Sequence, residues 1–205
     1  MLAAVRDVER NARFMSRLPP IQGVIDASLG REDDDLAVWR DRLGIIYKGL
    51  LKTNGDVLSV RYLKVEGDQF EELIRIDRQL TDSSNVRSIP LSRLQSGPRL
   101  PCMNEALASD AEEVYVALTG NSQDAVKTGA VVSGRMAATV PVFDEITEEV
   151  FGLVMIEAGL DQLVEHQIRG RFREINHLYV LDNDCLLYTS PSPRDRQKAR
   201  MPSSA

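Results

Sequence analysis

The stretch VLSVRYLKVEGDQFEELIRIDR, residues 57–78, decides how this chain folds. Apolar and polar residues alternate on both sides of Glu66-Gly67-Asp68, which is the pattern of two β-strands joined by a tight turn. We place the strands at residues 56–65 and 70–78. If Val65 pairs with Glu71, an antiparallel register follows along the whole hairpin. In that register Leu63 opposes Leu73, Arg61 opposes Arg75, and Ser59 opposes Asp77.

This register predicts a charged surface on one face of the hairpin. Because side chains alternate across a strand, Ser59, Arg61, Arg75 and Asp77 share a face, and a slip of one residue would reverse it. Two arginines directly opposite each other repel unless an anion compensates them. We therefore predict a ligand-binding site in which both guanidinium groups hold a ligand carboxylate. Asp77 is then available to a ligand amine or to one arginine.

The alternative is that this face is solvated, or that Asp77 pairs with an arginine and no ligand is needed. Two residues on later predicted strands, Tyr115 and Arg135, are further candidates for the ligand-binding site. The opposite face of the hairpin is apolar and is predicted to pack on the long helix that precedes it. Its residues are Val60, Tyr62, Ile74 and Ile76.

The segments that flank the hairpin carry clear helix and strand patterns. Apolar residues recur at three- and four-residue spacings over 5–18, and again over 36–53 after the acidic run at 33–35. A short helix opening at Pro20 separates these two. Beyond the hairpin, the patterns predict helices over 103–109 and 160–176 and strands over 112–120, 130–144, 149–159 and from 177. The two strands of the hairpin and the first three of these strands make five, and with helices packed on them they form an α+β fold.

The composition excludes several classes of function. The chain has 205 residues, is 43% apolar and carries a net charge of −6, without a basic cluster in its body. This acidic balance argues against nucleic acid as a partner. There is no Gly-rich phosphate loop, no metal-binding pair of histidines and no nucleophile elbow, so we predict no catalytic residue, no metal and no cofactor. Two cysteines are too few for a disulfide framework.

A series of segments carries a resemblance to a known family. They are FMSRLPPIQGVIDA (14–27), the helix with Trp39, VRYLKVEGD (60–68), ELIRIDR (72–78), EEVYVALTG (112–120), AATVPVFDE (137–145) and FGLVMIEAGLDQL (151–163). In this order they resemble the extracytoplasmic double-Cache sensor regions of bacterial receptors, which are PAS-like. The chain departs from the family in two respects. SGPRLPCMNEA (96–106) lacks the aromatic pair common there, and the Tyr/Arg/Trp/Tyr set of amino-acid-binding Cache sensors is absent.

The resemblance implies a five-stranded antiparallel sheet with a long N-terminal helix packed on it. In that family two such modules lie between transmembrane helices and drive a histidine kinase or a diguanylate cyclase. The resemblance makes this chain the membrane-distal, extracytoplasmic module, with a small extracellular ligand over the sheet face. It also implies a homodimer through the N-terminal helices, and membrane attachment only through transmembrane helices absent from this sequence.

The last residues, CLLYTSPSPRDRQKARMPSSA (185–205), closely resemble a translated sequencing-library adapter. We therefore predict that this tail is non-native and disordered. The strand from 177 would normally turn at Asp182-Asn183-Asp184 and return, so we expect the natural protein to continue there. Four regions are predicted: an N-terminal helical segment (1–32), the sensor module (33–160), a connecting helix with the first strand of a second module (161–184), and the tail.

Two functions follow from this reading of the sequence. The first is a non-enzymatic signal-input domain that binds a small molecule and relays the signal to a missing kinase or cyclase. The alternative is a PAS-like module that binds no ligand and serves dimerisation or protein contact.

Overall fold

A computed structural model describes residues 2–31, 35–79, 85–109, 113–119, 134–160, 178–181 and 187–190. Within them lie four helices: α1 (Leu2–Met15), α2 (Pro19–Ser28), α3 (Leu36–Thr53) and α4 (Pro101–Leu107). The strands are β1 (Val57–Glu66), β2 (Gln69–Arg78), β3 (Val86–Ser88), β4 (Ser96–Pro98), β5 (Tyr115–Thr119), β6 (Arg135–Phe143), β7 (Val150–Gly159), β8 (Leu178–Leu181) and β9 (Leu187–Ser190). A short 3₁₀ helix, Leu91–Arg93, lies between β3 and β4.

Seven of these strands form one antiparallel sheet, in the order β3-β2-β1-β7-β6-β5, with β4 also pairing with β2. The five strands predicted from the sequence are confirmed as β1, β2, β5, β6 and β7. Two strands of three residues, β3 and β4, add to them along the outer edge of β2. The α+β fold with an antiparallel sheet and helices packed on it is therefore confirmed.

The three N-terminal helices occur where their sequence patterns predict them. Pro19 and Pro20 open α2, where a missing N–H costs nothing. The Asp35 side chain caps α3 by accepting a hydrogen bond from the backbone N–H of Ala37 at 2.8 Å. Among the described helices, none combines the length and the apolar character that crossing a membrane requires. The helix predicted over 160–176 lies outside the described residues, apart from Leu160.

The two faces of the sheet are covered differently. On one face α1 packs over β6 and β7, and α3 packs over β1 and β2, with α2 against α3. Their apolar side chains share a single core with the sheet. On the other face, the short helix α4 covers β5, β6 and β7 through Met103 and Ala106. The half of this face over β1, β2 and β3 has no helix on it among the described residues.

The register of the β1–β2 hairpin agrees with the prediction at its open end and differs near the turn. Ser59 opposes Asp77 and Arg61 opposes Arg75, as predicted. Beyond Tyr62 an irregularity in β2 shifts the pairing, so Leu63 opposes Glu72 and Val65 opposes Phe70. The predicted pairs Leu63–Leu73 and Val65–Glu71 are therefore wrong. The extra residue lets Leu73 enter the apolar core while Glu72 stays with the arginines.

Two short strands near the end of the chain belong to the described residues. The strand expected from residue 177 is observed as β8, and β9 pairs with it antiparallel in a separate two-stranded sheet. Residues 187–190 of the predicted tail form β9, and the disorder of the tail stays a prediction. Their sequence, Leu-Tyr-Thr-Ser, contains an aromatic and a β-branched residue, which favour a strand, and ladder hydrogen bonds to β8 hold it. Residues 191–205 lie outside the described part of the chain.

A buried carboxylate fastens the β6–β7 turn to the region around α2. Asp144 accepts hydrogen bonds from the guanidinium of Arg31 at 2.8 Å, from Gln22 at 3.2 Å and from Thr147 at 2.9 Å. The hydrogen bonds with Arg31 hold the pKa of Asp144 well below its usual range, and burial only partly opposes this. The same bonds raise the pKa of Arg31. The turn therefore depends on the ionised form of Asp144.

We predict that Asp144 makes stability depend on pH on the acid side. Its pKa is near 4 in an unfolded chain and lower in the native state. The ionised group therefore stabilises the fold above about pH 4, and this stabilisation is lost as the pH falls through the native pKa. Urea unfolding at several pH values should show Asp144→Asn less stable than the parent at neutral pH, with the difference shrinking in acid. Asp41→Asn, at an exposed site on α3, is the control. A difference that does not change with pH would contradict this role.

Two glycines in helices should respond oppositely to alanine. A methyl group on Gly23 of α2 would lie 2.3 Å from Cδ2 of Trp39 on α3, whereas one on Gly49 would have nothing within 4 Å. We expect Gly23→Ala to lower the free energy of unfolding by about 1–3 kcal/mol because the helices must separate or Trp39 must move. Gly49→Ala should raise it by about 0.5–1 kcal/mol, since alanine favours the helix. Equal effects in chemical denaturation would contradict the close approach of α2 to α3.

Candidate functional site

The open half of the sheet face carries a cleft of about 410 Å³. This volume lies within the range of small-molecule sites in proteins. Nearly all of its lining is polar or charged and comes from β1, β2, β3, β6 and β7. The residues are Leu58, Ser59, Arg75, Asp77, Arg78, Gln79, Arg87, Arg135 and Glu157.

Arg61 lies beneath the cleft and is held by protein groups at all three of its nitrogen positions. Its Nη2 donates to Oε2 of Glu157 on β7 at 2.9 Å, and its Nε donates to Oγ of Ser59 at 3.3 Å. Its Nη1 lies 3.5 Å from Oε1 of Glu72. Only 14% of the Arg61 side chain is exposed. This guanidinium therefore acts within the protein and does not line the cleft.

Arg75 faces the cleft and forms a two-point contact with Asp77 on the same strand. Its Nε lies 2.9 Å from Oδ1 and 3.0 Å from Oδ2 of that carboxylate. Burial alone would lower the pKa of Arg75, but the hydrogen bond to Asp77 and the nearby charges of Asp77, Glu72 and Glu157 outweigh it, and the pKa is raised. The structure thus shows the predicted alternative, in which Asp77 pairs with an arginine.

Glu72 is the charged group that joins the two arginines. Its side chain is wholly buried, and Oε1 lies 3.5 Å from Nη1 of Arg61 and 3.7 Å from Nη1 of Arg75. These are ion-pair distances, and Oε1 accepts no hydrogen bond within the described residues. Oε2 accepts from the backbone N–H of Gln95 at 2.9 Å, and the N–H of Glu72 donates to the Gln95 carbonyl at 2.8 Å. Glu72 therefore ties the arginines to the segment between β3 and β4.

Arg78 connects the cleft with the C-terminal end of α3. Its guanidinium donates to the carbonyl oxygen of Leu51, to that of Asn54 at 2.9 Å and to that of Val57 at 2.9 Å. Burial lowers the pKa of Arg78. A cation that donates to carbonyls at the end of a helix satisfies groups that have no partner within the helix.

Arg87 and Arg135 differ from the other arginines of the cleft. Arg87 is exposed on β3 and lies opposite Asp77 in the sheet register, whereas Arg135 is half-buried at the start of β6. In the described part of the chain, neither guanidinium has an ion pair or a hydrogen bond. Their donors are available on two sides of the cleft.

The structure brings together four of the six residues predicted as ligand-binding. Ser59, Arg75, Asp77 and Arg135 line the cleft, and Arg61 lies below it. Tyr115 does not belong to this group, because it packs against the apolar cluster under α4. Strand β5 is at the far edge of the sheet, three strands from β1, so its side chains lie over the other half of the face.

Several charged residues of this region were missed at the level of sequence, and three of them show what signal was present. Glu157 was visible as the single acid in the apolar strand FGLVMIEAG, and that isolation is a usable signal of a buried partner. Strict alternation along β2 would place Glu72 on the face opposite the arginines, and the irregularity that changes this has no signal in the sequence. Arg87 lies on a strand of three residues, which is too short to show a period of two.

Comparison with known proteins supports the fold. No family model matches the chain, and no curated protein matches it. One similar solved structure is a domain described as a sensory box/GGDEF family protein from Vibrio parahaemolyticus, with a TM-score of 0.56 and 14% identity over 77% of this chain and 54% of the other. Another is the extracellular domain described as histidine kinase vpHK1S-Z8, with a TM-score of 0.57 and 12% identity over 77% and 52%.

A third similar structure is that of a methyl-accepting chemotaxis protein X, with a TM-score of 0.54 and 13% identity over 94% of this chain and 69% of the other. At 12–14% identity, these similarities show that the folds are alike and nothing more. The chain therefore has the fold of bacterial sensor domains, as the resemblance in sequence implied. It spans about half the length of the first two structures.

We predict that Arg61 contributes mainly to stability. Arg61→Met would leave the carboxylates of Glu157 and Glu72 buried without this cation, which costs on the order of 3 kcal/mol. Adding Glu157→Gln to this variant should recover part of the loss, because the uncompensated charge is removed. Lys64→Met, which breaks the more exposed pair with Glu66 on the same strand, should cost less than about 1 kcal/mol. If urea unfolding gave similar losses for Arg61→Met and Lys64→Met, the network would not be a stabilising one.

Proposed function

We propose that this chain is a signal-input domain that binds a small molecule in the cleft over β1, β2 and β3. The observation that carries the proposal is the uneven cover of one sheet face. Helix α4 covers its apolar half, while the charged half holds a cleft of about 410 Å³ with several polar groups turned into it. A concave site with convergent polar groups is the usual form of a ligand pocket. The fold shared with sensor domains favours the same role.

The wider setting belongs to the same proposal. The chain would be the outer module of a receptor in which a kinase or cyclase lies beyond a membrane, and it would itself perform no catalysis. Its place outside the cytoplasmic membrane rests on the similarity to an extracellular kinase domain. Attachment to the membrane would come from segments other than the described helices.

Signalling by such a domain requires that the ligand bind one conformation better than another. Two connections lead from the cleft towards the helices. Arg78 on β2 holds the C-terminal end of α3, and β6 and β7, which bear Arg135 and Glu157, carry α1 on their opposite face. A change in the spacing of these strands would therefore displace α1 and α3. We propose α1 as the element that passes it on.

A second candidate function has its own supporting observation. The two central arginines, Arg61 and Arg75, are compensated by protein carboxylates without a ligand, namely by Asp77, Glu72 and Glu157. The module could therefore be stable and complete as a dimerisation or protein-contact domain. Phe14 on α1 has 60% of its surface exposed, and a homodimer through the N-terminal helices would cover it.

A thermal-stability screen separates the two functions. We expect one member of a panel of small metabolites to raise the stability of the isolated chain by roughly 2.7 kcal/mol when present at a hundred times its dissociation constant. The gain should disappear in Ser59→Trp, which fills the cleft, but not in Phe14→Ser, which changes only the exposed face of α1. If no compound acts and the stability instead rises with protein concentration in a Phe14-dependent way, the interaction module is the correct function.

A further inference from the structure

The charges that line the cleft do not balance. Four guanidinium groups, those of Arg75, Arg78, Arg87 and Arg135, face two carboxylates, those of Asp77 and Glu157. Below the cleft Arg61 and Glu72 offset each other. Among the groups that line the cleft the excess is therefore two positive charges, although the chain as a whole has a net charge of −6. A local excess of this kind attracts a ligand of opposite sign.

The excess is located on two particular residues. Arg75 is engaged by Asp77, and Arg78 donates to three carbonyl oxygens near the end of α3. Arg87 and Arg135 have no such partner among the described residues. Arg61 is held at all three of its nitrogen positions and Arg75 donates through Nε to Asp77, so the guanidinium groups with no protein contact in the described residues are those of Arg87 and Arg135.

The two arginines lie on opposite sides of the cleft. β3 and β6 are four steps apart in the strand order, which corresponds to roughly 19 Å between their backbones. Between them the floor is formed by Asp77, Ser59 and Glu157, which lie side by side on β2, β1 and β7. A single compact anion could contact Arg87 or Arg135, but a ligand with two separated anionic groups could contact both.

The floor of the cleft also disfavours a ligand that relies on an amine. The carboxylates of Asp77 and Glu157 are already held by Arg75 and Arg61 at 2.9 Å. An ammonium group would have to compete with these guanidinium groups and would add to the positive excess. Leu58, Ser59 and Gln79 instead offer a small apolar surface and neutral hydrogen-bonding groups to the middle of a ligand.

We propose that the cleft binds an organic dianion, a dicarboxylate in the simplest case, with one anionic group on Arg87 and the other on Arg135. This inference rests on the proposed sensor function and names the chemical class of its ligand. Guanidinium forks match carboxylates geometrically, and each such contact contributes both affinity and orientation.

Isothermal titration of the whole chain at constant ionic strength tests this. The probes are linear aliphatic dicarboxylates of three to six carbons, the monocarboxylates of the same lengths, and the diamine of four carbons. We expect one dicarboxylate length to bind best, and the matching monocarboxylate to bind at least about tenfold more weakly. The diamine should not bind. A monocarboxylate that binds as tightly as every dicarboxylate would overturn the two-point contact.

Variants locate the two contacts. Arg87→Gln and Arg135→Gln should each reduce the affinity for the best dicarboxylate to that of the monocarboxylate, and the double variant should show no preference for dianions. Arg93→Gln, at an exposed arginine outside the cleft, is the matched control. Affinities equal to that of the parent in both single variants would refute the assignment. Since the comparison of ligand lengths uses the unaltered chain, a variant that folds poorly does not remove the test.

The outcomes also separate this inference from the proposed function. If a neutral or cationic metabolite binds and Ser59→Trp abolishes its binding, the cleft is a sensor site but the dianion assignment is wrong. If no metabolite of any charge binds, both fail and the interaction module remains.

Discussion

Two arginines lie directly opposite each other on neighbouring strands, and much of the surrounding structure compensates the repulsion between them. Arg61 and Arg75 form such a pair in β1 and β2, where like charges repel. Three carboxylates compensate them: Glu157 from β7, Asp77 beside Arg75, and the buried Glu72 between the two. Removing either arginine would leave three carboxylates with a single cation in a largely buried position.

This network explains why one sheet face is covered unevenly. Burial under a helix favours apolar groups and is costly for charged ones. Met155 and Leu153 on β7, with Ala137 on β6, lie under α4, while the charged positions of β1 and β2 lie beyond it. The cleft exists because the charged half of the face is left to polar groups and solvent. On the opposite face no such division occurs, and α1, α2 and α3 share one continuous apolar core with the strands.

Local patterns in the sequence were sufficient to predict the hairpin and its charged face. A period of two around Ser59–Arg61 and Arg75–Asp77 predicted both the strands and the face that those residues share, because side-chain alternation follows from backbone geometry alone. The irregularity after Tyr62 could not be predicted in this way, since Glu71, Glu72 and Leu73 fit either register until the core selects Leu73. Strands β3 and β4 were missed because three residues show no period. The ion pair between Arg61 and Glu157 joins residues 96 positions apart, and it follows only from the adjacency of β1 and β7.

The same adjacency bears on how a signal could leave the cleft. Strand β2 supplies Arg75 and Asp77 to the floor and, one residue later, Arg78 to the carbonyl groups at the end of α3. A ligand that draws β3 and β6 together must act across β2, β1 and β7, because these strands lie between them. Packed sheets transmit such displacements because their interiors have few voids to absorb them. The bonds of Arg78 therefore connect the cleft directly with the end of α3, whereas α1 is connected with it through strands β6 and β7.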